Sequence, residues 1–209
     1  MVHTVPTVPT DLTLNTPEGT AVPVGDLVSG HLLVVQLVRY FGCLPCQDWL
    51  VDLDQASTTL AEHGVTVAAV GGSTGYQARW LRDERGVTMP LYLDVDHLFR
   101  KAMAADEPLG HRLLDPRGAV AYARSLTHGF RPQTITRDAV RSPGVVILDQ
   151  RLDIRWQHLG TRIGDYPPLQ DVERVALQLA MENDPSPTPT HAAPGRAGGT
   201  DPLAERTTR

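Results

Sequence analysis

The apolar positions change period along this chain, and each change marks an element. Leu32-Leu33-Val34-Val35-Gln36-Leu37-Val38 is apolar except at Gln36 and rich in β-branched residues. That is the pattern of a central strand covered on both faces. Beyond it the period lengthens to that of a helix: Cys46, Trp49, Leu50, Leu53 and Leu60 share one face, and His63-Gly64 closes the segment. Residues 65–70 read as a second buried strand, Gly71-Gly72-Ser73-Thr74-Gly75 as a loop, and 76–85 as a helix stopped at Gly86. Leu91-Tyr92-Leu93, entered through Met89-Pro90, predicts a third strand. Residues 96–104 and 116–128 are patterned as helices, the second stopped by Gly129. Val145-Val146-Ile147-Leu148 predicts a fourth strand, residues 149–153 a hairpin turn, and Ile154-Arg155-Trp156 the returning strand. Pro167-Pro168 opens a last helix running to about Met181. Upstream, two short strand-like pieces flank a turn at Pro17-Glu18-Gly19.

Strands alternating with helices, then a hairpin and a helix, predict an α/β protein with a mixed central sheet and helices on both of its faces. The predicted domain covers residues 11–181, with a helical insertion over about 104–138. An extended Thr/Val/Pro-rich arm, 1–10, precedes it. A tail, 182–209, holds five prolines and few large apolar groups, a composition that predicts disorder. No internal repeat is present.

Composition narrows the function classes. Of 209 residues, 41% are hydrophobic and 21% charged, which suffices for a core without metal or disulfide staples. A formal net charge of -5 argues against a nucleic-acid or anionic-membrane partner. The longest apolar run, 32–38, is too short to span a bilayer. The first residues, Met1-Val2-His3-Thr4-Val5-Pro6, lack the basic and apolar regions of a signal peptide, so the expected setting is cytoplasmic.

In that setting the two cysteines carry the chemistry. Cys43 and Cys46 are the whole cysteine inventory, and they flank Leu44-Pro45 at the junction of the first central strand with its helix. A cytosolic Cys-x-x-Cys is redox-active or metal-binding more often than structural. Zinc needs about four ligands; no second pair exists, and His63 and His128 lack paired ligand spacing. Two inert buried thiols are the other alternative. For a redox pair the placement is apt. Unpaired N–H groups and the positive dipole end of a helix favour a thiolate at Cys43. Cys46, one turn on, can donate a hydrogen bond to it and later attack a mixed disulfide. Pro45 near the helix start sacrifices no hydrogen bond. Arg39, four residues before Cys43, is either a solvated strand-end charge or a guanidinium that lowers the thiol pKa further. A dithiol at this point of a β-α-β-α-β-α order is the thioredoxin-like arrangement, a three-layer fold. The glycine-rich loop at 71–75 matches no nucleotide fingerprint and reads as a plain strand-to-helix connection. Trp49 and Trp80 are expected in the core and Trp156 in the hairpin; His128 is expected at the surface, within reach of the site.

The stretch Val38-Arg39-Tyr40-Phe41-Gly42-Cys43-Leu44-Pro45-Cys46 resembles peroxiredoxin-like proteins of the alkyl hydroperoxide reductase/thiol-specific antioxidant superfamily. The likeness continues through Thr88-Met89-Pro90-Leu91-Tyr92-Leu93-Asp94, Arg112-Leu113-Leu114-Asp115-Pro116-Arg117-Gly118, Ser142-Pro143-Gly144-Val145-Val146-Ile147-Leu148-Asp149 and Gly164-Asp165-Tyr166-Pro167-Pro168, and so covers about residues 11–180. It implies that Pro143 is the cis-proline facing the dithiol, with Ser142 beside it lining a substrate groove. Arg141 lies near the level of the family's arginine. Typical members carry Pro-x-x-x-Thr-x-x-Cys. In that register Arg39 stands for the proline, Cys43 for the threonine, and Cys46 takes the peroxidatic position. Gln47 follows the pair where relatives often have a basic residue.

Three functions are consistent with these features. The first is a thiol–disulfide oxidoreductase in which Cys43 attacks and Cys46 resolves. The second is a peroxide reductase with Cys46 as the peroxidatic thiol. The third is a non-catalytic, redox-responsive binding module. The absent threonine favours the first. Its substrate would be a disulfide or peroxide, and its partner an external thiol reductant. The chemistry calls for no cofactor or metal, and a homodimer is compatible with it.

Overall fold

A computed structural model describes residues 7–28, 30–72 and 74–183. Among the described residues seven strands form one sheet: β1 (Thr13–Asn15), β2 (Ala21–Pro23), β3 (Leu32–Leu37), β4 (Val65–Gly71), β5 (Leu91–Leu93), β6 (Gly144–Asp149) and β7 (Ile154–Leu159). Five α-helices accompany them: α1 (Leu44–Ala61), α2 (Gly75–Arg85), α3 (Leu98–Ala102), α4 (Pro116–Thr127) and α5 (Leu169–Asn183). The sheet order is β2-β1-β5-β4-β3-β6-β7. β3, β4 and β5 run parallel, β6 pairs antiparallel with β3, and β7 returns antiparallel to β6. This is the mixed α/β, thioredoxin-like sheet that the element order predicted.

The parity of β3 divides the core. Leu32 and Val34 pack with Leu50, Leu53 and Leu60 of α1 and Val172, Ala176 and Ala180 of α5. Leu33, Val35 and Leu37 pack on the other face with Phe99 and Met103 around α3. Every position of β3 is buried, and each such aliphatic side chain contributes about 1.5–3 kcal/mol on burial. Gln36, the single polar residue of the strand, is satisfied in part at the site, where its Nε2 donates to the Cys46 carbonyl at 3.0 Å.

Most predicted elements are where the patterning put them. The helix predicted over 96–104 is shorter, because His97 (φ 56°) and Ala104 (φ 52°) adopt left-handed backbone at either side of it. The Asp94 carboxylate accepts from the N–H groups of Phe99 (3.2 Å) and Arg100 (3.0 Å) at its start. Three 3₁₀ turns, at Val24–Leu27, Gly110–Leu114 and Arg137–Val140, had no sequence signal. Of the expected arm, residues 7–10 are described: Val8 is buried and its N–H donates to Leu152 O at 3.0 Å. Residues 1–6, and nearly all of the expected tail, lie outside the described residues. Among the described residues no helix is long and apolar enough to cross a membrane.

Candidate active site

β3 ends at Leu37, and the chain passes through Val38–Gly42 to the first turn of α1. Cys43 is the N-cap residue of α1, with extended backbone (φ -76°, ψ 117°). Its carbonyl accepts from Gln47 N–H at 2.9 Å, and its own N–H donates to Tyr40 O at 3.0 Å. Leu44 and Pro45 then occupy the first two helical positions, where a missing N–H leaves no gap in the ladder. Cys46 follows one turn in, which brings its thiol to 2.8 Å from Cys43 Sγ as a hydrogen-bond donor. Both cysteines are free thiols and fully buried.

Arg39 is also buried, and Nη1 lies 3.6 Å from Cys43 Sγ. Its Nε donates to Arg141 O at 3.1 Å, and Nη2 donates to Ala139 O. It is thus a structured cation rather than a solvated strand-end charge. Burial pushes the Cys43 thiol up, but the hydrogen bond from Cys46 and the Arg39 charge outweigh it and bring Cys43 down to about 6. Cys46 is pushed well above the ordinary thiol value, first by burial and then by its bond to, and repulsion from, the Cys43 thiolate. The two sulfurs therefore differ in kind: Cys43 is an anion at neutral pH and Cys46 a proton donor.

Three tyrosines complete the surroundings, none of them singled out in the sequence. Tyr122 of α4 acts on the ionisation of both Cys43 and Tyr40, favouring the anion at each. Tyr166 stacks on Trp49 with ring centroids 5.0 Å apart, and its hydroxyl donates to Leu37 O at 3.1 Å. Burial raises the pKa of all three phenols. The only available signal for Tyr166 was its place in Gly164-Asp165-Tyr166-Pro167-Pro168. Tyr122 sits in an otherwise ordinary helical pattern. Arg100 was also missed: it is buried, donating from Nη2 to Val38 O (2.6 Å) and from Nη1 to Ser142 O (2.9 Å).

The other sequence candidates are placed differently. The Arg141 side chain pairs with Asp106 Oδ1 at 2.7 Å, so only its carbonyl reaches the site, through Arg39. Ser142 directs its hydroxyl to Glu107 O at 3.2 Å. The peptide bond before Pro143 is trans, as no described bond is cis, which corrects the cis expectation. Pro143 leads into β6, its carbonyl accepting from Gly160 N–H at 2.8 Å, and Ser142 O is held by Arg100. Those two anchors fix the turn into β6. Gln47 is buried and donates to Phe41 O at 2.7 Å, so it braces the loop. Trp49, expected in the core, is only partly buried and donates from Nε1 to Pro167 O at 3.0 Å. His128 pairs with Asp48 at 2.8 Å. Gly71 and Gly72 are explained by packing rather than by a phosphate. A Cβ on the first would lie 2.6 Å from the Phe41 ring, and one on the second 2.1 Å from the Asp138 carboxylate. Ser73 of that loop lies outside the described residues. Among the described residues no group of three or more His, Cys, Asp or Glu side chains could hold a metal ion.

The segment 129–141, between α4 and β6, packs against the dithiol turn at Gly42 and Arg39. Gln77 of α2, fully buried, accepts from Gly42 N–H at 3.1 Å and donates to Thr134 O at 2.7 Å. It thereby ties the residue before Cys43 to that segment. Arg39 ties the far end through Ala139 and Arg141. The fit is close: a Cβ on Gly42 would lie 2.5 Å from Gln77 Nε2 and 2.9 Å from Gln133 Cβ.

Residues 6–157 match the AhpC/TSA family. No curated protein matches the chain. Among solved structures it is similar to peroxidoxin BcpB of Mycobacterium tuberculosis, at 13% identity and a TM-score of 0.60 over 83% of this chain and 94% of that one. It is similar to the bacterioferritin comigratory protein of Xanthomonas campestris, at 12% and 0.57 over 83% and 92%. A peroxiredoxin-like protein of Aquifex aeolicus gives 13% and 0.54 over 83% and 85%. At these identities the structural likeness establishes the fold.

Proposed function

This chain belongs to the AhpC/TSA family, and from that premise we propose that it is a thiol–disulfide oxidoreductase in which Cys43 attacks and Cys46 resolves. The observation that carries the reading is the asymmetry of the pair. Cys43, at the N-cap, has Arg39 at 3.6 Å and the Cys46 thiol at 2.8 Å, and it is lowered to about 6, while Cys46 is raised. The Cys43 thiolate attacks one sulfur of a substrate disulfide, breaking that bond and releasing the other half as a thiolate. Cys46 passes its proton to the thiolate just released and attacks the Cys43 sulfur of the mixed disulfide. The second half leaves as a thiolate, and Cys43 and Cys46 are joined. An external thiol reductant supplies two electrons and one proton to restore the Cys43 thiolate and the Cys46 thiol. The proposed catalytic unit is residues 11–181, in a cytoplasmic setting.

Family membership favours peroxide as a second substrate class. The Xanthomonas campestris relative is described for alkyl peroxide reduction. In that reaction a thiolate attacks one peroxide oxygen, the O–O bond breaks, an alcohol leaves, and a sulfenic acid forms that the other thiol condenses with, releasing water. The family register assigns the attack to Cys46, whereas the charge distribution favours Cys43.

One experiment tests both assignments. The Cys43→Ser and Cys46→Ser variants are each treated at pH 7 with a disulfide and with an alkyl hydroperoxide, and adducts are located by mass spectrometry. Cys46→Ser is expected to accumulate a mixed disulfide and a sulfenic acid at Cys43, with Cys43→Ser nearly inert. The reverse pattern would assign attack to Cys46. Inertness of both variants and of the wild-type protein would favour the binding-module reading.

A further inference from the structure

We infer that the cavity between α1, α4 and the start of α5 is a ligand site that receives the organic body of a small, positively charged thiol or disulfide. The inference rests on the dithiol reading above and specifies its substrate class. The cavity encloses about 650 Å³, within the range that takes small organic molecules. Part of its wall comes from the dithiol turn: Pro45, one of the two residues between the cysteines, lines it together with Gly164 and Tyr166, and both thiols lie buried behind that wall. The packing there is tight. Gly164 has φ +69°, and a Cβ on it would lie 2.8 Å from Ala121 Cβ and 2.9 Å from Pro45 Cβ.

The floor is aromatic. Trp49 and Tyr166 stack at 5.0 Å with an interplanar angle of 17°, and the bond from Trp49 Nε1 to Pro167 O fixes the indole. Such a surface accepts an apolar body and attracts a cation over its π face. The rim is acidic: Asp48, Asp52 and Glu173 face a single guanidinium, Arg124. Asp48 is committed, accepting from Ser125 at 3.0 Å and pairing with His128 at 2.8 Å. Asp52 and Glu173 make no hydrogen bond or ion pair within the described residues. Burial first, and the Asp48 charge second, push the Asp52 carboxyl up, and Arg124 and His128 offset this only in part. An ammonium group arriving on this rim would relieve the repulsion between the carboxylates, while the aromatic floor holds the rest of the molecule beside the dithiol.

Two arms test the site. In the first, binding of phenethylamine and of phenylacetate to the reduced full-length protein is measured by calorimetry. The amine is expected to bind and the anion not, and an Asp52→Asn/Glu173→Gln double variant with an unchanged circular-dichroism spectrum is expected to bind the amine at least about fivefold more weakly. No amine binding, or equal affinity in the variant, would overturn the site. In the second arm the dithiol is oxidised by cystamine, by neutral hydroxyethyl disulfide and by anionic dithiodiglycolate. Cystamine is expected to show the lowest KM, and the double variant to raise the KM for cystamine while leaving that for hydroxyethyl disulfide unchanged. Equal KM values for the three would overturn the assigned substrate class. Amine binding without oxidation by any disulfide would sink the dithiol reading while upholding the cation site.

Discussion

A guanidinium taken out of water costs several kcal/mol unless its hydrogen bonds and its charge are both met. Arg39 meets its hydrogen bonds with the carbonyls of Ala139 and Arg141 and its charge with the Cys43 thiolate. The dependence is mutual. Burial alone would raise the Cys43 thiol, so the anion depends on Arg39 and on the Cys46 donor. Replacing Arg39 with Met should move the Cys43 pKa up from about 6 toward the ordinary thiol range near 8.5. A titration of thiolate absorbance in the ultraviolet would show the midpoint shift, and attack on a disulfide at pH 7 should slow severalfold. Arg39→Lys should fall between, since an ammonium keeps the charge but cannot reproduce the guanidinium's several directed donors. An unchanged midpoint in Arg39→Met would remove Arg39 from the site.

At the scale of elements, α2 and the 129–141 segment are joined beside the dithiol turn. Gln77 is the joint, holding Gly42 at one end of its amide and Thr134 at the other. Gln77→Ala leaves a buried N–H and a carbonyl without partners, a loss of about 1–3 kcal/mol each if water cannot reach them. Because the segment is close to solvent, local opening should relieve part of that penalty. The variant is thus expected to lose roughly 1–3 kcal/mol of stability by urea unfolding while its Cys43 is alkylated faster at fixed pH. Slower or equal alkylation would show that the segment does not limit access. Gln77 and Thr134 illustrate what patterning could and could not reveal. β3, α1 and β4 were legible because their side chains repeat with the period of the backbone that carries them. The dithiol was legible because its two members are neighbours in sequence. Gln77, Tyr122 and Arg100 reach the site from 34, 79 and 57 positions beyond Cys43. Each sits in a segment whose local pattern is satisfied without any such role. Arg141 errs the other way: its sequence level suggested a side-chain role, but Asp106 takes the guanidinium and leaves only the carbonyl. The cis expectation for Pro143 came from the resemblance, and local sequence held nothing that could test it.

The molecule as a whole couples this chemistry to its stability, because the perturbed thiols exist only when β3, α1, α4 and the 129–141 segment are assembled. Cys43 is depressed in the folded state to about 6, against about 8.5 in an unfolded chain. Between those values the unfolded chain holds a proton on Cys43 that the folded protein has released, so stability rises with pH across the window and is lost as pH falls through about 6. Cys46 works in the opposite sense. Its folded pKa is raised, so above about 8.5 the unfolded chain ionises at that position while the folded protein stays protonated, and stability falls again. Reduced protein should therefore show a stability maximum on the alkaline side of neutrality in urea unfolding, limited below by Cys43 and above by Cys46. The oxidised protein, with no thiol to titrate, should lack both limbs of that curve. Cys43→Ser should lose the lower limb. It should also weaken the upper one, since part of the Cys46 shift comes from the Cys43 anion. A pH profile of stability that is the same in reduced and oxidised protein would show that the thiolate pair does not contribute to the folded state in this way.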